Sequence, residues 1–166
     1  MIFLCYHGVT KHKSKSIENF SGKHISVKKF YTQMNFIKKK CKILNIHEVY
    51  YHLKNRIPFE KNSVAVSFDD GFENNFTDAL PILKRLKIPS IFYICPKNIS
   101  KKEMFWVDKI EACIVNSKKS EIFLTILNKK FSLKSRESKK KTINFIKKYC
   151  KNVNVNKKDE IIKELI

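Results

Sequence analysis

Two acidic side chains, Asp69 and Asp70, stand side by side directly after the run Val64-Ala-Val-Ser-Phe68 and directly before Gly71. Like charges this close repel, and burial makes ionising both of them costly. A bound cation resolves that conflict, because it neutralises the pair and gives each carboxylate its own task. Neighbouring residues on a tight turn point in different directions. One can therefore ligate a metal while the other acts as general base on the attacking water. Gly71 permits the sharp turn that brings backbone close to a substrate. In barrel enzymes such residues collect where strands end, which is where this pair falls. An Asp-Gly step also fits an ordinary turn. The surrounding elements have to decide.

Those elements alternate. Residues 2–7 read as one continuous buried strand ending at His7-Gly8, and the polar, Ser-rich stretch 10–24 reads as a loop. Ser26 caps a helix whose apolar positions are Val27, Phe30, Met34 and Ile37, three and four apart. A short strand near 42–44 and a helical turn over 46–54 follow, then a loop at Pro58 and the strand 64–68. From Asn74 to Leu86 a helical stripe runs through Phe76, Ala79, Leu80, Leu83 and Leu86, with Pro81 placed near the first turn or kinking the helix. Residues 90–95 read as another buried strand, completing a βαβ unit with a parallel sheet and right-handed crossover. The fold class is α/β.

Beyond residue 100 the pattern changes. The spacing predicts a helix over 104–115 and a hairpin of 121–127 with 130–133 across Asn128-Lys129. A Lys-rich helix over 138–148, with Ile143, Ile146 and Cys150 inward, and a last helical segment from Asp159 complete the chain.

Composition narrows the function classes. The 166 residues are 43% hydrophobic and 12% aromatic, enough for one domain with a core. No apolar run approaches the roughly 20 residues that cross a membrane. The apolar start is shorter than a secretory core and lacks a basic leader, so the expected location is cytoplasmic. Five cysteines, at 5, 41, 95, 113 and 150, form no C-x-x-C pair and read as reduced thiols. Apolar surroundings place Cys5, Cys95, Cys113 and Cys150 in the interior. The formal charge of +20 is almost all Lys and is spread along the chain, with Arg only at 56, 85 and 136. No nucleic-acid motif accompanies it, so no nucleic-acid partner is expected. Peripheral attraction to an anionic surface stays open.

The words around the acid pair are more specific. Ser-Phe-Asp-Asp-Gly-Phe72, then Asn74-Asn-Phe-x-x-Ala-x-Pro-Ile-Leu83, then Ile88-Pro-x-x-Phe-Tyr-Ile94 resemble the NodB-homology polysaccharide deacetylases, carbohydrate esterase family four. Tyr6-His7-Gly8-Val9 and the capped helix after Ser26 are similar to the start of members acting on surface glycans, and Phe105-Trp106 to a subgroup with an inserted helix and hairpin. The resemblance covers residues 1–110 well and the rest loosely.

It implies a partial distorted (β/α) barrel with a helical and hairpin insertion at its C-terminal end: one incomplete domain over 1–166, with barrel elements in 1–100 and the insertion in 101–166. It also implies a divalent metal, commonly zinc, and hydrolysis of an N-acetyl group on a carbohydrate substrate. Asp69 would be the base, Asp70 a metal ligand, and His7, Gly71 and Phe72 would meet the substrate. His7 earns its place by ending the first strand at the rim that carries Asp69.

The chain also departs from the family. No His follows His52, so the family's His-x-x-x-His motif is missing, as are its later Arg and Leu-x-His motifs. A catalytic zinc takes three protein ligands, and Asp70 alone is supplied here. His12, His24, His47 and His52 show no metal spacing and read as surface or packing residues. The expectation is a deacetylase truncated before its metal histidines, inactive or weak in isolation. A catalytically inactive glycan-binding protein is the alternative, and a basic nucleic-acid or anionic-surface binder the lesser one.

Overall fold

Ser63–Phe68 is buried at all of its positions and pairs along both edges, which explains why this run is apolar or small throughout. The computed structural model describes residues 1–11, 19–20 and 22–166, so His12 lies outside the described residues. Two compact units are present, Met1–Ile99 and Ser100–Ile166.

In the first unit the order is β1 (Ile2–Tyr6), β2 (Gly8–Thr10), β3 (His24–Ser26), α1 (Val27–Lys40), β4 (Lys42–Ile43), α2 (Ile46–Lys54) and β5 (Ser63–Phe68). One turn of π-helix (Asn75–Ala79), α3 (Leu80–Leu86), β6 (Ser90–Phe92) and α4 (Pro96–Lys101) follow. β5 is the central strand, with β1, β4 and β6 all parallel to it. Backbone bonds show how its edges are shared. Val64 O and Phe68 O accept from Leu44 and Tyr93, so β4 and β6 take one edge in succession, whereas Asp69 N–H donates to Tyr6 O on the β1 side. Among the described residues the strands form an open parallel sheet rather than a closed ring.

Alternation along β5 separates two faces. Val64, Val66 and Phe68 enter a core with Phe30, Met34 and Ile37 of α1 and Ile82, Leu83 and Leu86 of α3. Ala65 faces the other way, onto Leu44 and Val49. The Ser26 hydroxyl accepts the Lys29 N–H at 3.4 Å and starts α1 as its sequence predicts.

Several boundaries differ from the expectations. The opening strand is two strands, and β1 is largely exposed while β2 is buried. Cys5 accordingly lies exposed, and Cys95 and Cys113 only half-buried; Cys150 alone of the four is fully buried. Residues 24–26 pair with β2 as β3, so the loop expected over 10–24 gives way to strand at Thr10 and at His24. The 74–86 stripe breaks into the π-turn and α3, with Pro81 in the first turn of α3. Pro81 has no N–H to give an α-helical bond back toward Thr77, and the wider turn leaves Phe76 72% exposed. β6 stops at Phe92, two residues before the exposed Ile94.

The second unit contains α5 (Trp106–Asn116), an antiparallel pair β7 (Glu121–Leu124) and β8 (Lys129–Ser132), α6 (Arg136–Lys151) and α7 (Val155–Leu165). Its hairpin strands are shorter than expected, because 125–127 coil into a 3-10 turn and Asn128 takes the left-handed conformation at φ 44°. Ile143, Ile146 and Cys150 of α6 are buried as their spacing predicts. No described helix is long and apolar enough to cross a membrane.

Candidate functional site

The site begins where β5 ends. Hydrogen bonds hold this exit on both sides: Asp69 N–H to Tyr6 O at 2.8 Å, and Tyr93 N–H to Phe68 O at 2.8 Å. Asp69 and Asp70 are both half-buried, so neither faces open solvent or a sealed core. His7 leaves β1 at the same end of the sheet at which Asp69 leaves β5, as the register Tyr6↔Phe68 requires. Asp70 and Gly71 have φ values of 74° and 73°, two left-handed residues in succession. Asp tolerates that region better than most side chains, and Gly does so freely. At Gly71 a Cβ would also come within 3.0 Å of Ile94 Cγ2, so a side chain there would be both strained and crowded.

Asp69 continues the alternation of Ala65 and Ser67, which puts its side chain on the face away from the α1 and α3 core. Cys5, opposite Ser67 in the register, shares that face. Its thiol donates to Asp69 Oδ2 at 3.2 Å. The thiol is pushed up from the usual cysteine range, first by desolvation and next by the hydrogen bond to Asp69. The charges of Asp69 and Asp70 add to this, while a side-chain hydrogen bond from Ser67 pulls the other way.

The turn is anchored behind. Phe72 lies 4.9 Å from the His24 ring, with Lys23 Nζ 4.3 Å above its centre. Asn74 Nδ2 donates to His24 Nδ1 at 2.7 Å. The Asn19 side chain fixes the His24 backbone through both its N–H and its carbonyl, each at 2.8 Å. Gly8 is needed beneath them: a Cβ there would sit 2.7 Å from both Asn74 Oδ1 and His24 Nδ1. Three buried atoms beside this anchor, Asn74 Oδ1 and both polar side-chain atoms of Asn75, have no hydrogen-bond partner among the described residues.

Among the described residues no three His, Cys, Asp or Glu side chains come together in a way that could hold a metal ion. The pair at Asp69 and Asp70 offers two carboxylates, fewer than the three protein ligands of a catalytic zinc. A complete metal site does not fit these residues.

Of the residues singled out in the sequence, Asp69, Asp70, Gly71 and Phe72 form one turn, and His7 lies at the same sheet end. His52 stacks on Phe59 at 5.0 Å and His47 is exposed. His24 does more than pack, since it holds Asn74. Sequence reasoning missed Cys5, Ser67, His24 and Asn74. A signal for Cys5 existed: it sits two residues before His7, in step with Ser67 and Asp69 once β1 and β5 are paired in parallel.

A family model described as polysaccharide deacetylase matches residues 56–148, more than half of the chain. Poly-beta-1,6-N-acetyl-D-glucosamine N-deacetylases of Staphylococcus aureus strains MSSA476 and MRSA252 are 34% identical over 98 residues, covering 58% of this chain and 32% of theirs. The chain thus spans about a third of the length of the curated relatives it matches. Among solved structures, IcaB from Ammonifex degensii superposes with a TM-score of 0.52 at 24% identity, over 67% of this chain and 47% of that one. The Streptococcus pyogenes deacetylase PplD in complex with acetate gives 0.51 at 20% identity, over 66% and 50%. At these identities the likeness is one of fold.

Proposed function

The chain belongs to the polysaccharide deacetylase family, and from that premise we propose that it carries the base of a hydrolytic N-deacetylation acting on a carbohydrate. The observation that supports this most is the acid pair at the exit of β5, with Asp69 turned away from the α1 and α3 core and held by Cys5. In this reading Asp69 accepts a proton from water as its oxygen attacks the acetyl carbonyl carbon. The tetrahedral species then collapses as the C–N bond breaks and the nitrogen takes up the proton that Asp69 removed, giving a free amine and acetic acid, which ionises to acetate. His7, Gly71 and Phe72 line the approach of the sugar. The substrate class is a polymer of N-acetylated hexosamine, the chemistry named for the staphylococcal relatives.

Asp70 is assigned as one ligand of a divalent cation, zinc by resemblance. Its partner ligands, and the strands that would close the sheet into a distorted barrel, lie outside these 166 residues in this reading. Ser100–Ile166 is the family's inserted segment. The described residues do not complete the site of that cation.

Two measurements test the assignment. Zinc titration of this chain by calorimetry should give only weak binding, most of it removed by Asp70→Ala; tight binding that survives the substitution refutes the ligand assignment. In the protein carrying a complete ligand set, Asp69→Asn should fold and bind metal yet release acetate from N-acetylglucosamine oligomers at least about a hundredfold more slowly. Undiminished acetate release would show that Asp69 is not the base.

A further inference from the structure

We propose that the Cys5 thiol, which shares one face of the β1–β5 pair with Ser67 and Asp69, is the positioning residue that fixes the Asp69 carboxylate. The proposal deepens the reading of Asp69 as base and rests on it.

The register sets the three side chains on one face. Cys5 stands opposite Ser67, and Asp69 is the next residue of β5 on that side. The Cys5 Sγ to Asp69 Oδ2 distance is 3.2 Å. An ionised carboxylate only accepts, so the thiol must donate this bond. Ser67 is itself buried, at 7% exposure, so the strand position that Cys5 faces is fixed within the sheet.

The direction of the thiol–carboxylate bond decides between uses of Cys5. A nucleophilic or metal-binding cysteine needs a thiolate, which a lowered pKa would favour. Here desolvation and the two neighbouring carboxylates keep the proton on sulfur. A protonated thiol is a donor, and a donor aimed at Oδ2 leaves Oδ1 as the oxygen to accept from water. Cys5 thus acts as an orienting group for the base.

The test uses the whole 166-residue chain and reads the thiol–carboxylate bond directly. In aspartate-labelled protein the carbon-13 carboxyl line of Asp69 is identified by its loss in Asp69→Asn. Cys5→Ser, which keeps a donor, should leave that line where the wild type has it. Cys5→Ala should move it toward the position of a freely solvated aspartate. A line unmoved in Cys5→Ala, or moved as far in Cys5→Ser, overturns the proposal. Should Cys5→Ala fail to fold, the S–H stretching band of Cys5, read as the difference between wild type and Cys5→Ser, serves instead. It should shift to higher frequency when Asp69 becomes Asn, and an unshifted band is equally fatal. Acetate release retained by Asp69→Asn would defeat the base reading without altering either spectrum, so the two failures are distinguishable.

Discussion

Polar side chains are used differently in the two units. In Ser100–Ile166 they close the scaffold on itself. Ser135 and Ser138 cap α6 reciprocally, and the Asn154 side chain caps α7. Lys139 Nζ takes up the carbonyls of Val115 and Ser117 at the end of α5, each at 2.9 Å. Lys147 meets Glu111 at 2.7 Å with both side chains largely buried. In Met1–Ile99 the polar groups after β5 are left unrelieved: Asn74 Oδ1 and the Asn75 amide carry no partner among the described residues, and Asp70 holds a left-handed backbone. A buried polar atom without a partner is destabilising by about 1–3 kcal/mol. A fold tolerates such a cost where something other than stability is being selected. In the proposed reading the first unit carries the chemistry, and the second is built to stay folded.

The sharpest test of that contrast separates activity from stability. Asp69→Asn should leave the melting temperature of the chain unchanged while removing the hundredfold or more of acetate release assigned to it above. Ile146→Ala, at a fully buried position in α6, should do the reverse in kind, lowering the stability of Ser100–Ile166 by about 2–5 kcal/mol in urea titration. A loss of stability in the first variant as large as in the second would erase the distinction. Gly8→Ala should be intermediate, about 1–3 kcal/mol, because its methyl must displace Asn74 and His24. Amide exchange should quicken in 71–75 and stay unchanged in α6. Faster exchange spread evenly over both units would mean Gly8 does not act through the turn.

The smallest effect concerns pH. Hydrogen bonds from Thr125, and then from the Ile126 N–H, hold the Glu164 carboxyl below its usual range. A lowered carboxyl contributes stability that is present above the ordinary glutamate value, about 4.3, and is lost as pH falls through the lowered one. Glu164 is exposed, so the contribution is at most about 1 kcal/mol after screening by water. Glu164→Gln should shift the urea midpoint at pH 7 and match the wild type once acid has protonated the Glu164 carboxyl; an equal shift at both would assign the effect to packing.

Periodicity and caps made much of this legible. Ser26, the stripe of α1, the buried face of α6 and the run before Asp69 follow from spacing alone, because each is local. What stayed hidden depends on pairing between distant segments. Nothing local marks His24 as a strand residue: three residues of β3 gain their bonds from β2. Cys5 looked buried because its neighbours are apolar, yet β1 is bonded to β5 along one edge and largely exposed. The π-turn before Pro81 was unreadable for a related reason, since helical spacing does not report how wide the first turn is.

β5 shares one edge between β4 and β6, and its other edge belongs to β1. A slip of one residue against these neighbours would turn Val64, Val66 and Phe68 outward and drive the Asp69 carboxylate among the side chains of α1 and α3. No partly correct arrangement would keep the acid at the rim. A misassembled sheet therefore also loses its acid rim, and the same ladder that proofreads folding guarantees that every correctly folded copy presents its carboxylate.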